Sequence, residues 1–570
     1  MLNHFCAFSS VWIVLSSIYG SILVVLMLSF SLIEVLDNNV PILSLQGWYL
    51  LYLYVGSMAV IISIYVWLLI NSCSSTPEAR VSSTEFPQTR DVDVISFTSR
   101  FDSLRRLHIS TKESSYCSFY LRFAAAAFGI GALVFNGLET ALHSLMEHSC
   151  ITELMFVHPI LHGFFTFLQM HFLFLNSQVV VEKFGYIARF GFMHLASTNL
   201  ALWIRLIIWE SGLEFVYYIY LTMTENLPRS DVSYWPISQT HIKQVVKLHN
   251  CLSSNKLGQI WSSSMPFLYP FIAQFSIIAA SVTYMMGKKI GIDNKNTRSN
   301  KIPNKFDLKG NSSRHDACDH DLCRKCEFDF NGSCKGLVLG IILIIIVAVI
   351  IIFVVVGKEN DFCQYTLYII TSSTISALLL TNIIISITAL IKIRRLYMTG
   401  RSLCDLDDNL STLSLAGIQL YSVFSMLVAV YSLYDENVAI SESNQLQYKL
   451  LLLLSVLQLI QSTIQSALIQ EATRRSARPT RTSLIIRPAK QILTFLFCTN
   501  ISLWALDTFV TQNWIVQELQ LRYIGVLGWG VISRITLPLI MFYRFHSAAL
   551  ILQILQSAYN PCSFNPSMFL

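Results

Sequence analysis

The chain has 570 residues, of which 54% are hydrophobic and 13% charged, with a mean hydropathy of +0.54 and a formal net charge of +6. Soluble domains carry about 25% charged residues, so the composition excludes the three or four soluble domains that length alone would suggest. The 13 cysteines are scattered, several of them inside apolar runs, and do not read as a disulfide framework.

A helix needs about 20 largely apolar residues to cross the hydrocarbon core. Taken in chain order, such runs fall at 11–36, 47–72, 118–142, 153–180, 188–210, 263–287, 336–357, 364–392, 411–434, 447–471, 489–510 and 526–555. The first is too long for the apolar region of a signal peptide and lacks a basic start. The fourth and last are long enough to require tilt or an extension beyond the membrane. The predicted fold class is therefore all-α: a polytopic membrane protein of about twelve transmembrane helices.

Positive charge follows the even-numbered runs. The 73–117 loop holds Arg80, Arg90, Arg100, Arg105, Arg106 and Lys112, and the 288–335 loop is rich in Lys and Asn. Lys392, Arg394, Arg395 and Arg401 follow the eighth run, and Arg474, Arg475, Arg478, Arg481 and Arg487 follow the tenth. Loops after odd runs are nearly free of positive charge, the longer 211–262 segment excepted. Positive loops stay in the cytoplasm, which predicts a plasma-membrane protein with both termini cytoplasmic. The sequons at Asn311 and Asn331 then face the cytoplasm and are expected to be unmodified. The expected organisation is an N-terminal six-helix half (1–287), a cytoplasmic linker (288–335) and a C-terminal six-helix half (336–570).

The halves share an ordered signature. Gln169 in the fourth run and Gln465 in the tenth precede Thr198-Asn199-Leu-Ala-Leu202-Trp203 and Thr499-Asn500-Ile-Ser-Leu503-Trp504. Pro270 and Pro538 follow, ahead of Phe275-Ser276 and His546-Ser547. Six spans is an even number, so the two halves are parallel six-helix repeats.

Polar groups at membrane depth are costly unless satisfied. Gln169, Asn199, Gln465 and Asn500 could each serve interhelical hydrogen bonding alone, but the recurrence of the Gln/Asn pair favours a shared role lining a narrow, partly wet passage. His546 has an unperturbed pKa suited to proton relay, with structural packing as the alternative. Arg544 is placed to snorkel at the end of the last helix. Glu139 and Asp507 sit in or near span ends, as acid sensors or as interfacial groups. His158 and His162, four apart on one face, are candidate acid sensors or ligands of an inhibitory metal, or else a solvated helix end; His171 follows on the same run. Cys318, Cys323, Cys326 and Cys334 accompany His315 and His320, but only Cys323-x-x-Cys326 has zinc spacing, so no metal site is assigned; lipidation of juxtamembrane Cys334 is an alternative use. Walker, HExxH and GxSxG motifs are absent from the sequence, so neither an ATP-driven pump nor a common hydrolase is expected, and no cofactor or nucleic-acid partner is implied.

Stretches in both halves carry a resemblance: Phe165-Thr-Phe-Leu-Gln169 through Ser177, Ala188 through Arg205 with His194, Asn199 and Trp203, and Pro266-Phe-Leu-Tyr-Pro270-Phe in the first, and Thr499-Asn500 through Thr508-Phe509, Leu537-Pro538-Leu, Phe542-Tyr-Arg-Phe-His546-Ser547 and Ala558-Tyr559 in the second. In these the chain resembles the otopetrin family of proton channels. The resemblance implies twelve helices in two halves, a homodimer in membrane lipid, entry of protons down their gradient in external acid, and zinc as an inhibitor. It also implies constriction roles for Gln169 and Asn199 in the first half, and for Gln465, Asn500 and His546 in the second. Where the family usually has Glu-Tyr after the sixth-span proline, this chain has Gln274-Phe275. Gln cannot titrate and Phe has no hydroxyl, which favours the second half, or the junction of the halves, as the conducting part. The alternatives are a proton-coupled solute transporter, against which the 73–117 loop lacks a Gly-x-x-x-Asp pattern; a non-conducting relative; and, last, a membrane-embedded enzyme.

Overall fold

The computed structural model describes residues 2–36, 45–74, 119–146, 153–176, 185–224, 239–253, 255–290, 334–360, 362–398, 403–434, 442–476, 489–512 and 514–559. Both sequons, together with Cys318, Cys323 and Cys326, lie outside these residues. The helices are α1 (Leu2–Leu36), α2 (Leu45–Ser74), α3 (Phe119–Leu145), α4 (Glu153–Asn176), α5 (Gly185–Thr224), α6 (Gln239–Ser253) and α7 (Lys256–Lys289). They continue as α8 (Cys334–Glu359), α9 (Gln364–Ile393), α10 (Asp405–Tyr434), α11 (Glu442–Thr473), α12 (Lys490–Leu506), α13 (Trp514–Ile524) and α14 (Val526–Tyr559). A π-helical turn, Asp507–Thr511, continues α12. The one strand pairing among the described residues joins β1 (Tyr397–Met398) to β2 (Arg475–Ser476), antiparallel, with Tyr397 opposite Ser476. Arg475 secures it by donating to the carbonyls of Arg394 (2.9 Å) and Leu396 (3.0 Å) while pairing with Glu471.

Among the described residues, 11 helices are long and apolar enough to cross a membrane. The remaining predicted span, α4, has the length but not the hydropathy, because His158, Pro159, His162, Gln169 and His171 dilute it. The longest helix is the fifth span and not the fourth. α5 has 40 residues, roughly 60 Å at 1.5 Å per residue, and so reaches past a hydrocarbon core of about 30 Å. Two further helices fall in predicted loops. α6 is amphipathic: it buries Ile242 and Val245 against Val216 and Ile219 of α5 while Lys243 and Lys247 are exposed. α13 is the other. Cys251 of α6 is disulfide-bonded, so the cysteines, though no framework, are not all thiols.

The chain forms two compact units. Unit 1 comprises Met1–Ile290, Cys404–Leu410 and Gln520–Pro538; unit 2 comprises Gly291–Leu403, Ser411–Leu519 and Leu539–Leu570. The boundary thus runs through α10, α13 and α14. Within unit 1, α1 packs on α5, and α2 packs on α4 and α5; within unit 2, α8 packs on α12, and α9 packs on α11 and α12. The second pattern is the first displaced by six spans, so the recurrence seen in short motifs extends to helix pairing. The outward faces are apolar. Val11, Val14, Ile18, Ile22 and Val25 of α1 are all exposed, at the three-and-four spacing of one helical face, a surface that suits lipid chains.

Candidate functional site

Unit 1 concentrates its polar groups on facing helices. On α4, His158, His162, Thr166 and Gln169 follow at spacings of four, four and three, so they share one face, and all four are buried. On α3, Asn136, Glu139 and His143 share a face in the same way; the first and last are buried, and Glu139 partly so. The two helices pack together, with Asn136 opposite Gly163, where an added Cβ would meet the asparagine Cβ at 3.7 Å. Tyr54 of α2 covers the histidines: its hydroxyl and His158 Nε2 are hydrogen-bonded at 3.0 Å, and its ring stacks on His162 with centroids 5.3 Å apart. The two histidines are therefore packed side chains and not a solvated helix end. His171 is more exposed and is bonded through Nδ1 to the Tyr65 hydroxyl at 2.6 Å.

Arg205 of α5 lies within Coulombic range of Tyr54, Glu139, His158 and His162. Its Nε donates to Gln46 Oε1 at 3.1 Å, and the Gln46 amide donates to Glu34. Further along α5, Glu214 pairs with Arg534, whose guanidinium sits 4.9 Å from the Tyr269 ring; Glu210 is within range of both charges. Acids and bases therefore alternate, each near a partner, as low-dielectric surroundings require.

Past Thr166 lie the amides. Gln169 is fully buried and neither of its amide atoms has a hydrogen-bond partner. Asn199 donates to the Leu195 carbonyl at 2.7 Å, leaving its Oδ1 unpartnered. Gln274 Oε1, the Thr166 hydroxyl and both side-chain polar atoms of Asn136 are unpartnered too. Phe275 is buried and adds no polar atom. Buried polar groups in native proteins are almost always paired with protein or water, so each of these orphaned amide and hydroxyl atoms is a place where water belongs.

In unit 2 the corresponding amides satisfy one another. Gln465 Nε2 donates to Asn500 Oδ1 at 2.8 Å, and Asn500 Nδ2 donates back to Gln465 Oε1 at 3.2 Å and to the Leu496 carbonyl at 2.8 Å. Gln461, one turn before Gln465, donates to its Oε1 at 2.7 Å and accepts from Arg544 Nη1. Arg544 Nε lies 3.6 Å from Asp507 Oδ2, and Thr511 donates to the other carboxylate oxygen at 3.1 Å. Asp507 opens the π-helical turn, which re-aims its side chain relative to the α12 face. Arg544 is 1% exposed, so it does not snorkel to an interface; Asp507 is buried with it and is not interfacial. Tyr543 donates to the Ser462 carbonyl at 2.8 Å and meets the Ser466 hydroxyl at 3.0 Å. His546 is buried and stacked on Phe542, with centroids 5.2 Å apart and 13° between planes.

The sequence reading did not single out Tyr54, Glu210, Glu214, Gln461 or Arg534. Spacing was the available signal. Asn199, Trp203, Leu206, Glu210 and Glu214 follow at four, three, four and four along α5, and Gln458, Gln461 and Gln465 at three and four along α11.

This architecture defines a polytopic helical membrane protein with buried polar tracks inside its helix packs. The otopetrin family model matches residues 120–545, and the chain belongs to that family. Among its relatives are "Proton channel OtopLc" of Drosophila melanogaster, 27% identical over 581 residues, and "Proton channel OTOP2" of Homo sapiens, 24% identical over 489 residues. The first alignment covers 96% of this chain and 35% of the Drosophila protein; the second covers 76% of this chain and 81% of the human one. This chain thus spans about a third of the Drosophila relative's length. A shorter match, 27% identical over 144 residues and 25% of this chain, reaches 22% of "Proton channel OTOP1" of Danio rerio.

Proposed function

We propose that this chain forms a proton-selective channel of the plasma membrane, activated by extracellular acid and passing H+ into the cell down its electrochemical gradient. The observation that carries the reading is the track of buried polar groups in a member of a family whose relatives are named proton channels. A proton needs no wide pore; hydrogen-bonded water and polar side chains suffice, whereas larger ions need rings of carbonyls or charges. Glu139, His158 and His162 are the titratable groups at the head of the unit 1 track, and they supply the acid response. Gln169, Asn199 and Gln274 follow them.

Both termini are assigned to the cytoplasm. The basic loops after even spans support this, and so does Cys251: α6 follows five spans, and its disulfide belongs on the oxidising, exoplasmic side. The active form is proposed to be a homodimer surrounded by lipid and inhibited by zinc, both carried over from the family resemblance. No catalytic step is part of this reading.

The test is voltage clamp of cells expressing the chain, in sodium-free solution with lowered external pH. An inward current whose reversal potential follows the pH gradient is the expected result. A current that requires an added solute would make the chain a transporter, and no current despite surface expression would refute the channel reading.

A further inference from the structure

The two Gln/Asn sites occupy equivalent places in the repeat, yet their hydrogen bonding differs in kind. In unit 1 neither amide atom of Gln169 is bonded, and Asn199, Gln274, Asn136 and Thr166 leave five more polar atoms unpartnered among buried surroundings. In unit 2 every amide atom of Gln465 and Asn500 is bonded, chiefly to the other residue of the pair. The orphaned atoms that unit 2 does contain include those of Thr371, Ser376, Asn382 and Trp504, and also Asp507 Oδ2 and Arg544 Nε, which face each other at 3.6 Å as an ion pair; none belongs to the Gln465/Asn500 pair.

Three residues account for the difference. Registering the repeats on Gln169/Gln465, Asn199/Asn500 and Phe275-Ser276/His546-Ser547 places Gln461 where unit 1 has Phe165. The same register places Asp507 at Leu206 and Arg544 at Ala273. Phe165 and Ala273 are 1% and 0% exposed. Unit 1 therefore has apolar groups where unit 2 has a carboxylate, a guanidinium and an amide joined together. The bonds within and around this pair occupy both N–H groups of Asn500 and both lone pairs of Gln465 Oε1, leaving one N–H on Gln465 and one lone pair on Asn500, less than the free amide of Gln169 offers to a water wire.

We propose, on the basis of the channel reading above, that the two sites have separate duties: the proton crosses unit 1 along water held by Asn136, Thr166, Gln169, Asn199 and Gln274, whereas Gln461, Gln465, Asn500, Asp507 and Arg544 form a closed latch in unit 2 that conducts nothing. Gln274 suits the first duty because a neutral amide orients water without trapping the proton; titration is supplied by Glu139, His158 and His162, faced by His143 from α3, Arg205 and Glu210 from α5 and Tyr54 from α2. The preference for the second half drawn from Gln274-Phe275 is thereby reversed, since a wire through water requires polar lining and no carboxylate at every step.

The test compares two double variants, Gln169→Leu with Asn199→Leu and Gln465→Leu with Asn500→Leu, by proton current normalised to surface protein. The unit 1 pair should lower the current by about tenfold or more. The unit 2 pair removes both partners of the reciprocal couple and leaves only Gln461 Nε2 without its acceptor; with normalisation to surface protein absorbing any loss of stability, it should leave the current within about twofold of the unsubstituted chain. Loss of current in the unit 2 pair at normal surface density, or survival of the unit 1 pair, overturns the assignment. Absence of current in the unsubstituted chain would instead refute the channel reading itself. Hydroxyl-radical footprinting of the unsubstituted protein serves where a variant fails to reach the surface. Labelling at 166–170 of α4 without labelling at 461–465 of α11 is expected, and the opposite pattern overturns the proposal.

Discussion

The pairing of Arg544 with Asp507 is the strongest single commitment in unit 2, because both side chains are withdrawn from solvent. Removing one partner of a buried ion pair leaves an uncompensated charge and typically costs about 3–5 kcal/mol, whereas replacing both with well-packed apolar groups is often neutral. Arg544→Ala should therefore depress the melting temperature and surface yield sharply, and the pair Arg544→Met with Asp507→Leu should recover most of the loss; a thermal-shift series in detergent checks both. Cys363 offers a different readout. It is exposed at the N-terminal end of α9, and hydrogen bonds from Thr366, backbone and hydroxyl, and from the Tyr365 backbone hold its thiol below the ordinary value. Its thiolate fraction thus rises at a lower pH than for an ordinary cysteine. With the assigned orientation, a membrane-impermeant maleimide added to intact cells should label Cys363, and Cys363→Ser should remove that label. Labelling only after permeabilisation would invert the topology. At this scale the sequence announced the rare intramembrane amides, histidines and acids, because polarity in an apolar run is visible one residue at a time. It did not announce their partners. That His158 is hydrogen-bonded to Tyr54, 104 positions away, or that Arg544 is clamped by Asp507 and not snorkelled, depends on residues distant in sequence and brought close only by packing.

At the scale of elements, each predicted span falls on a helix, 11 of them long and apolar enough to cross a membrane among the described residues, and the misreadings come where polar residues interrupt or replace an apolar run. Hydropathy shortened α5 because Glu210 and Glu214 look like a membrane exit, although Arg534 neutralises the second of them. It missed α6 because an amphipathic helix of 15 residues has no long apolar run. The α8–α12 contact gives a prediction that belongs here. α8 is the most apolar span and mostly faces outward, but Gly336 and Gly340, four apart, let α12 approach closely. A Cβ on Gly336 would collide with the Gln491 backbone, and one on Gly340 would meet Cys498 Sγ at 2.5 Å. Backbone cannot yield as a side-chain tip does, so Gly336→Leu should separate the helices and reduce folded, size-homogeneous protein on gel filtration more than Gly340→Ala does. Equal yields would show that α8 is held by other contacts.

For the whole molecule, the repeat is the organising fact. The same helix pairings occur in each unit, and the Gln-then-Asn order recurs on equivalent helices, but the chemistry around them has diverged: one set is orphaned and fit for water, the other closed on itself. The repeat was legible in sequence because three motifs recur in order. The divergence was not, because Gln461 and Arg544 become part of the site only through bonds made in the folded chain. That asymmetry refines the channel reading without replacing it, and the reading itself rests on proton movement. The most direct measurement is the reversal potential of the acid-evoked current in sodium-free solution at several external pH values. The account predicts a shift of about 59 mV per pH unit, one proton charge per proton moved, with no added solute; a reversal potential indifferent to pH, or no current from protein present at the surface, would contradict it.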